Sequence, residues 1–254
     1  MYTVDNTTVV IQGNLTQWTP EFLKEYEKTF KHVIVSSWSD DDWSNIWWDS
    51  YDRMICFKPP KPGRGNVNLH VRSTYMGLGV VKTPYVIKVR SDLLIQEPEK
   101  WLRFFSEHEA DRRIFVLGMS DMYGFSPRDQ LFAGKVEDLL KMFDIPYIDE
   151  DYAVPGLDEM YPEVRIGLNH CRHYDYVAKR CWEQPEKYLF PGASHRHETL
   201  THWSMVKGDL LMPVSRNLRY YWPKHFPNGY NYDNKEFGEF WYEEIADKKY
   251  VRNT

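Results

Sequence analysis

The stretch from Asn66 to Ile95, NVNLHVRSTYMGLGVVKTPYVIKVRSDLLI, decides how the rest of the chain is read. After Pro84, Tyr85, Val86, Ile87 and Val89 form a β-branched run that only Lys88 interrupts. Such a run predicts a strand buried on both faces, as in a parallel sheet. It stops abruptly at Arg90, Ser91 and Asp92, two charges and a hydroxyl where the strand leaves the core. In open α/β sheets the ligand crevice lies outside the carboxyl ends of the strands. An arginine there suits an anionic phosphate and an aspartate suits a divalent cation, and a solvated loop with a surface ion pair is the plain alternative. Asn66 to Val81 predicts the helix that delivers the chain into this strand, with Asn68 and Arg72 one turn apart on one face.

Working outward, Thr7 to Gln12 (TTVVIQ) predicts a first strand that ends in the tight turn Gln12-Gly13-Asn14. Thr19-Pro20-Glu21 predicts a helix start with Thr19 as its cap, and Phe22, Leu23, Tyr26 and Phe30 recur at helical spacing. Val33 to Ser37 predicts a second strand, which makes a βαβ unit with a right-handed crossover. The acidic run Asp40-Asp41-Asp42 after Trp38 reads as a solvated turn or helix start, with a metal site as the sharper alternative. Lys58 to Gly65 (KPPKPGRG) must be a loop.

Downstream, Pro98 to His108 predicts a helix, Ile114 to Leu117 a strand, Asp121 to Gln130 a polar loop and Gln130 to Phe143 a helix. Helices follow near Pro162 and over Tyr176 to Trp182, and Gly192 to His202, with His195, His197 and His202, reads as a loop. Repeats, low-complexity segments and linkers are absent, so one α/β domain with a sheet-centred N-terminal half is expected.

Composition narrows the function. The net charge of −5 leaves no basic stripe for nucleic acid. No apolar stretch approaches a membrane span, and the N-terminus lacks the pattern of a signal peptide. Three cysteines without metal-ligand spacing fit free thiols in a reducing compartment, so a cytoplasmic address is expected. The 10 Trp, 18 Tyr and 13 Phe raise the prospect of a carbohydrate or nucleotide site, although core packing takes most aromatics.

Taken in order, VVIQG (9–13), HVIVSSW (32–38), NVNLHVRSTYMGLG (66–79) and YVIKVRSDLLI (85–95) resemble the WavE-type lipopolysaccharide-synthesis glycosyltransferases. Related glycosyltransferases of large algal viruses look similar. Asp129 to Lys135 (DQLFAGK) is similar to that family's D-x-F-x-x-G element, and Pro162-Glu163 with Ile166 and Leu168 to its later P-E segment. The resemblance spans Thr8 to Leu168. It implies a GT-A architecture: a Rossmann-like, mixed but mostly parallel central sheet flanked by helices, with an irregular C-terminal acceptor-side region. One domain would cover residues 1–254, with 1–148 binding the nucleotide-sugar and 149–254 facing the acceptor.

The implied activity is transfer of a hexosyl or pentosyl group from a nucleotide-diphosphate sugar such as a UDP-sugar to a glycan or glycolipid, assisted by Mn²⁺ or Mg²⁺. Gln12, Gly13, Trp38, Asn68 and Arg72 fall where the nucleotide would lie, and Arg90 would meet its phosphate. GT-A enzymes usually carry a D-x-D element after the central strand; here Arg90 replaces its first carboxylate, leaving R-S-D, which makes Asp92 the metal ligand from this motif and puts strict metal dependence in doubt. His197 is the candidate late ligand, with surface histidines as the alternative. For the base that deprotonates the acceptor, Asp129 comes first, with helix cap as its alternative reading, then Asp121 and Glu163. A nucleotide-sugar hydrolase and a non-catalytic carbohydrate-binding protein are the rival functions.

Overall fold

The computed structural model describes residues 1–46, 52–59, 61–120, 124–147, 162–189, 192–215 and 217–222. Its strands are β1 (Thr7–Gln12), β2 (His32–Trp38), β3 (Asp52–Cys56), β4 (Tyr85–Arg90), β5 (Leu94–Ile95), β6 (Ile114–Val116), β7 (Met119–Ser120), β8 (Ser126–Pro127), β9 (Leu131–Lys135), β10 (Leu211–Pro213) and β11 (Tyr220–Tyr221). The helices are α1 (Thr19–Glu27), α2 (Val67–Leu78), α3 (Pro98–Glu107), α4 (Val136–Phe143), α5 (Pro162–Cys171), α6 (Tyr176–Glu183), α7 (Pro185–Tyr188) and α8 (Arg196–Leu210).

Seven strands form one sheet in the order β10-β6-β9-β4-β1-β2-β3. The neighbours β3, β2, β1 and β4 are mutually parallel, as are β6 and β10, and β9 alone runs against both its neighbours. The architecture is thus α/β with a mixed, mostly parallel sheet, and β1-α1-β2 is the expected βαβ unit.

Side-chain alternation sorts this sheet into two cores. Val10, Ile34, Val86, Val116 and Phe132 point to the layer of α2, α4, α5, α6 and α8. Their chain neighbours Val9, Ile11, Val33, Val35, Ile87, Val89, Leu131 and Ala133 point to the layer of α1 and α3. Both faces of the central strands are therefore buried, and this is why their sequences read as largely apolar runs rather than as alternating ones.

Three expectations change. The helix expected over Gln130 to Phe143 begins only at Val136, because Leu131 to Lys135 is β9, wedged between β4 and β6. Leu131, Phe132 and Ala133 are fully buried, and a continuous apolar stretch of this kind does not distinguish a buried strand from a helix. Gly134 lets Leu139 of α4 pack closely on the strand, since a Cβ there would lie 2.8 Å from Leu139 Cδ1. The loop expected around the three histidines is mostly α8. Its buried positions Thr199, Trp203, Lys207 and Leu210 have helical spacing, but two of the four are polar, so apolar periodicity hides the helix. Thr19 does not cap α1: the cap position is Trp18, and the Thr19 hydroxyl instead donates to the Ser91 carbonyl at 3.0 Å. It joins the start of α1 to the turn after β4.

Two contacts fix α5 in the helical layer, one to α4 and one to the β7–β8 hairpin. The Asn169 amide on α5 donates to the carbonyls of Lys141 and Met142 at the end of α4, at 2.8 and 3.0 Å, and so satisfies groups that a helix terminus leaves open. Gly167 lets α5 lie directly on β8, because a Cβ there would stand 1.9 Å from the Phe125 carbonyl oxygen. Gly167→Ala is accordingly expected to cost about 3 kcal/mol or more in urea unfolding. Gly79→Ala, where the nearest atoms to a new Cβ are 3.5 Å away, is expected to be neutral within about 0.5 kcal/mol.

Candidate functional site

A cavity of about 630 Å³ opens at the carboxyl ends of β1, β2 and β4, where a doubly covered sheet presents its ligand crevice. Its walls include Gln12, Gly13 and Asn14 after β1, Trp38 at the end of β2, Asn66, Leu69 and His70 at the start of α2, Arg90, Ser91 and Asp92 after β4, and Asp129 before β9.

Backbone geometry builds the rim. Gly13 has φ +111°, a conformation that a side chain would resist, and its amide donates to the Ser36 carbonyl at 3.2 Å. The Ser37 hydroxyl donates to the Gly13 carbonyl at 2.7 Å and also bonds Asp41. Asp41 Oδ2 takes the Leu15 amide at 3.1 Å as well, so it ties the loop after β1 to the loop after β2. Asp40 pairs with Lys58 and Asp42 accepts the Ser44 amide. Each carboxylate of the acidic run thereby has a partner in the protein. The Gln12 amide donates to the Ser73 hydroxyl at 2.6 Å and fastens β1 to α2.

The charged centre lies at the end of β4. The Arg90 guanidinium grips both Asp92 oxygens, Nε to Oδ1 and Nη2 to Oδ2 at 3.0 Å each, and its Nη1 is 3.8 Å from Asp129 Oδ2. Arg90 also stacks over Trp222, 5.6 Å from the ring centroid. Behind it on the same strand face, Lys88 is fully buried. Its ammonium donates to the Asp129 carbonyl at 2.7 Å and lies 3.0 Å from His70 Nε2. The other imidazole nitrogen, His70 Nδ1, is 3.4 Å from Asp129 Oδ2.

Burial, reinforced by the charge of Lys88, lowers the His70 pKa to about 4. Burial, together with the charge of Arg90, lowers that of Lys88 to about 7 against the pull of Asp129. Burial alone would raise Asp129, but the hydrogen bond from His70 and the charges of Lys88 and Arg90 win and hold its carboxyl well below the usual range. Near neutral pH the group is a neutral imidazole beside an ionised carboxylate. Glu163, half-buried in the first turn of α5, is shifted up by burial and by Asp129, with Arg128 and Arg90 opposing.

Of the residues expected at the site, Gln12, Gly13, Trp38, Arg90, Asp92 and Asp129 line the cavity. Trp38 is 1% exposed with its indole N–H on Asn14 Oδ1 at 2.8 Å, a wall member that offers no open ring. Asn68 and Arg72 sit on the correct helix but on another face: the Asn68 amide donates to the Lys61 carbonyl, and Arg72 to the Tyr147 hydroxyl at 2.6 Å. Positions 66, 69 and 70 face the cavity in their place. Asp129 precedes a strand, so it caps no helix. Asp121 lies outside the described residues. Sequence reading passed over His70 and assigned Lys88 no role, although a lysine inside an otherwise apolar strand was a legible signal.

A divalent cation does not fit these residues as arranged. Both Asp92 oxygens are chelated by Arg90, and His197 is exposed on α8 and absent from the cavity wall. Among the described residues no group of three or more His, Cys, Asp or Glu is gathered to hold a metal. His195 and His202 are paired with Glu198 and Asp175.

No family model and no curated protein sequence matches the chain. Solved structures do. The S. aureus TarS fragment 1–349 in complex with UDP is 15% identical with a TM-score of 0.44, covering 80% of this chain and 72% of that one. HddC from Yersinia pseudotuberculosis is 13% identical with a TM-score of 0.37, covering 65% and 84%. Likeness at this level carries no argument about activity. Among the described residues no helix is long and apolar enough to cross a membrane.

The titration of His70 has a measurable sign. Its folded pKa of about 4 lies below the ordinary 6.5, so the stability it contributes is present above pH 6.5 and is lost as pH falls through 4. Urea unfolding at pH 7, 5.5 and 4 is expected to show this loss, up to about 3 kcal/mol, and His70→Asn is expected to remove that part of the acid limb.

Proposed function

We propose that this protein is a glycosyltransferase that moves a sugar from a nucleoside-diphosphate sugar, with UDP the first nucleotide to test, to a glycan or glycolipid acceptor. One observation carries the reading. The segments that resemble glycosyltransferase motifs, scattered from residue 9 to residue 135, contribute the walls of a single cavity at the strand ends. A volume of about 630 Å³ suits a nucleotide-sized ligand.

In this reading the glycine turn after β1 lets a ligand approach the backbone, and the Arg90 N–H groups not used by Asp92 meet the diphosphate. A guanidinium held rigidly from one side spends little entropy on a second anion, and its planar fork matches phosphate oxygens. For transfer with inversion, the acceptor oxygen forms a bond to the anomeric carbon while the bond from that carbon to the diphosphate oxygen breaks. The diphosphate leaves with the electron pair and a base takes the acceptor proton. Asp129 lines the cavity and Glu163 does not, but in proton affinity Glu163 suits that role better than Asp129. Its carboxyl is shifted towards neutrality, whereas Asp129 is held at low proton affinity by His70 and Arg90. Asp129 then serves to orient the charged groups. No step is routed through a metal ion, because the described residues offer no ligand set for one.

Calorimetric titration with UDP and GDP in EDTA, repeated with Mn²⁺, tests this. One nucleotide is expected to bind with or without the cation, and Arg90→Ala to weaken it about tenfold or more. Glu163→Gln is expected to keep that binding and to lose about 10²-fold or more in turnover. A folded protein that binds neither nucleotide refutes the transferase reading and favours a glycan-binding one.

A further inference from the structure

The central strand carries one side chain that the reading above leaves without work. Lys88 occupies a position where β1 and β9, on either side, present Val10 and Phe132. An ammonium there is costly, since taking a charge out of water loses several kcal/mol unless partners restore it. Its direct hydrogen-bond partners are a carbonyl oxygen and an imidazole, and among the described residues no carboxylate lies in ion-pair contact with it. A valine would serve the core better, so stability does not account for the lysine.

Geometry supplies another account. An ammonium only donates, so His70 Nε2, 3.0 Å away, must accept, and the imidazole proton must sit on Nδ1. That proton faces Asp129 Oδ2. The same ammonium donates to the Asp129 backbone carbonyl. Lys88 therefore holds Asp129 twice, directly through its main chain and through His70 at its carboxylate. Oδ2 takes the contacts from His70 and Arg90, while among the described residues none is made to Oδ1, and Asp129 lines the cavity.

We propose that Lys88 and His70 are positioning residues: a lock inside the core that fixes His70 as its Nδ1–H tautomer and presents Asp129 Oδ1 to the ligand. The consequence for catalysis rests on the transferase reading, but the lock itself does not. The groups that face it are Arg90 and Asp92 beside Lys88 on and after β4, and Asp129 opposite on the segment leading into β9. Glu163 acts on Arg90 and Asp129 from α5.

The test is ¹H–¹⁵N spectroscopy of the full chain labelled at histidine, with the His70 signals assigned through His70→Asn. The wild type is expected to show a neutral Nδ1–H imidazole from pH 7 to pH 5.5. Lys88→Met, close in length and without charge, is expected to leave Nε2 without its donor and to raise the pH at which His70 takes up its second proton. The same variant is expected to lower the turnover number about tenfold or more and to leave the KM for donor within about threefold. His70→Gln is expected to do the same, which separates the lock from a lysine-specific packing effect. An Nε2–H or protonated His70 in the wild type at pH 7 overturns the proposal. So does a Lys88→Met protein in which His70 titrates as it does in the wild type. If the lock appears as described and no nucleotide binds the wild type, the transferase reading falls and the lock stands.

Discussion

Strand β4 is hydrogen-bonded along both edges, to β1 in parallel and to β9 in antiparallel, and covered on both faces by helices. Everything at the site depends on where that strand stops. While it stays between its neighbours its side chains must be apolar or individually satisfied. Where it leaves them, the chain turns at once: the Ser91 amide goes to the Gln12 carbonyl and the Leu93 amide to the Arg90 carbonyl. Charged groups accumulate at that boundary because it is the first place where they can meet a ligand and still be held by the sheet.

The charges there form a chain of shared partners. Asp92 is used up by Arg90, Arg90 leans on Trp222, and Asp129 divides one oxygen between Arg90 and His70. Arg90 and a partly charged Lys88 stand against Asp92 and Asp129, so the cavity does not attract anions by bulk charge. Recognition there would come from directed donors, in keeping with a molecule whose overall charge is slightly negative.

Much of this was legible in the residues. The apolar runs of β1, β2 and β4 announced a doubly covered sheet, and RSD announced its end. β9 was not legible, because Leu-Phe-Ala carries no period that separates a strand from a helix when both faces are buried. α8 was hidden by Thr199 and Lys207 on its inner face, and the face of α2 was missed through phase: Asn68 and Arg72 are a turn apart, but the cavity takes Asn66, Leu69 and His70. His70 carried no local mark at all. What makes it a site residue is a lysine 18 positions later and an aspartate 59 positions later, and only the packed sheet brings those together.

The reversed strand has a further consequence. Because β9 runs against β4, the backbone bond from the Arg90 amide to the Gln130 carbonyl sets how far Asp129 stands from Arg90. Register in a sheet changes only by whole residues, and a slip by one sends every side chain to the opposite face. The spacing of the charged groups is therefore quantised. Substitutions elsewhere can loosen the cavity or tighten it, but they cannot tune that separation by degrees. Change at this centre has to come by exchanging one residue for another in place.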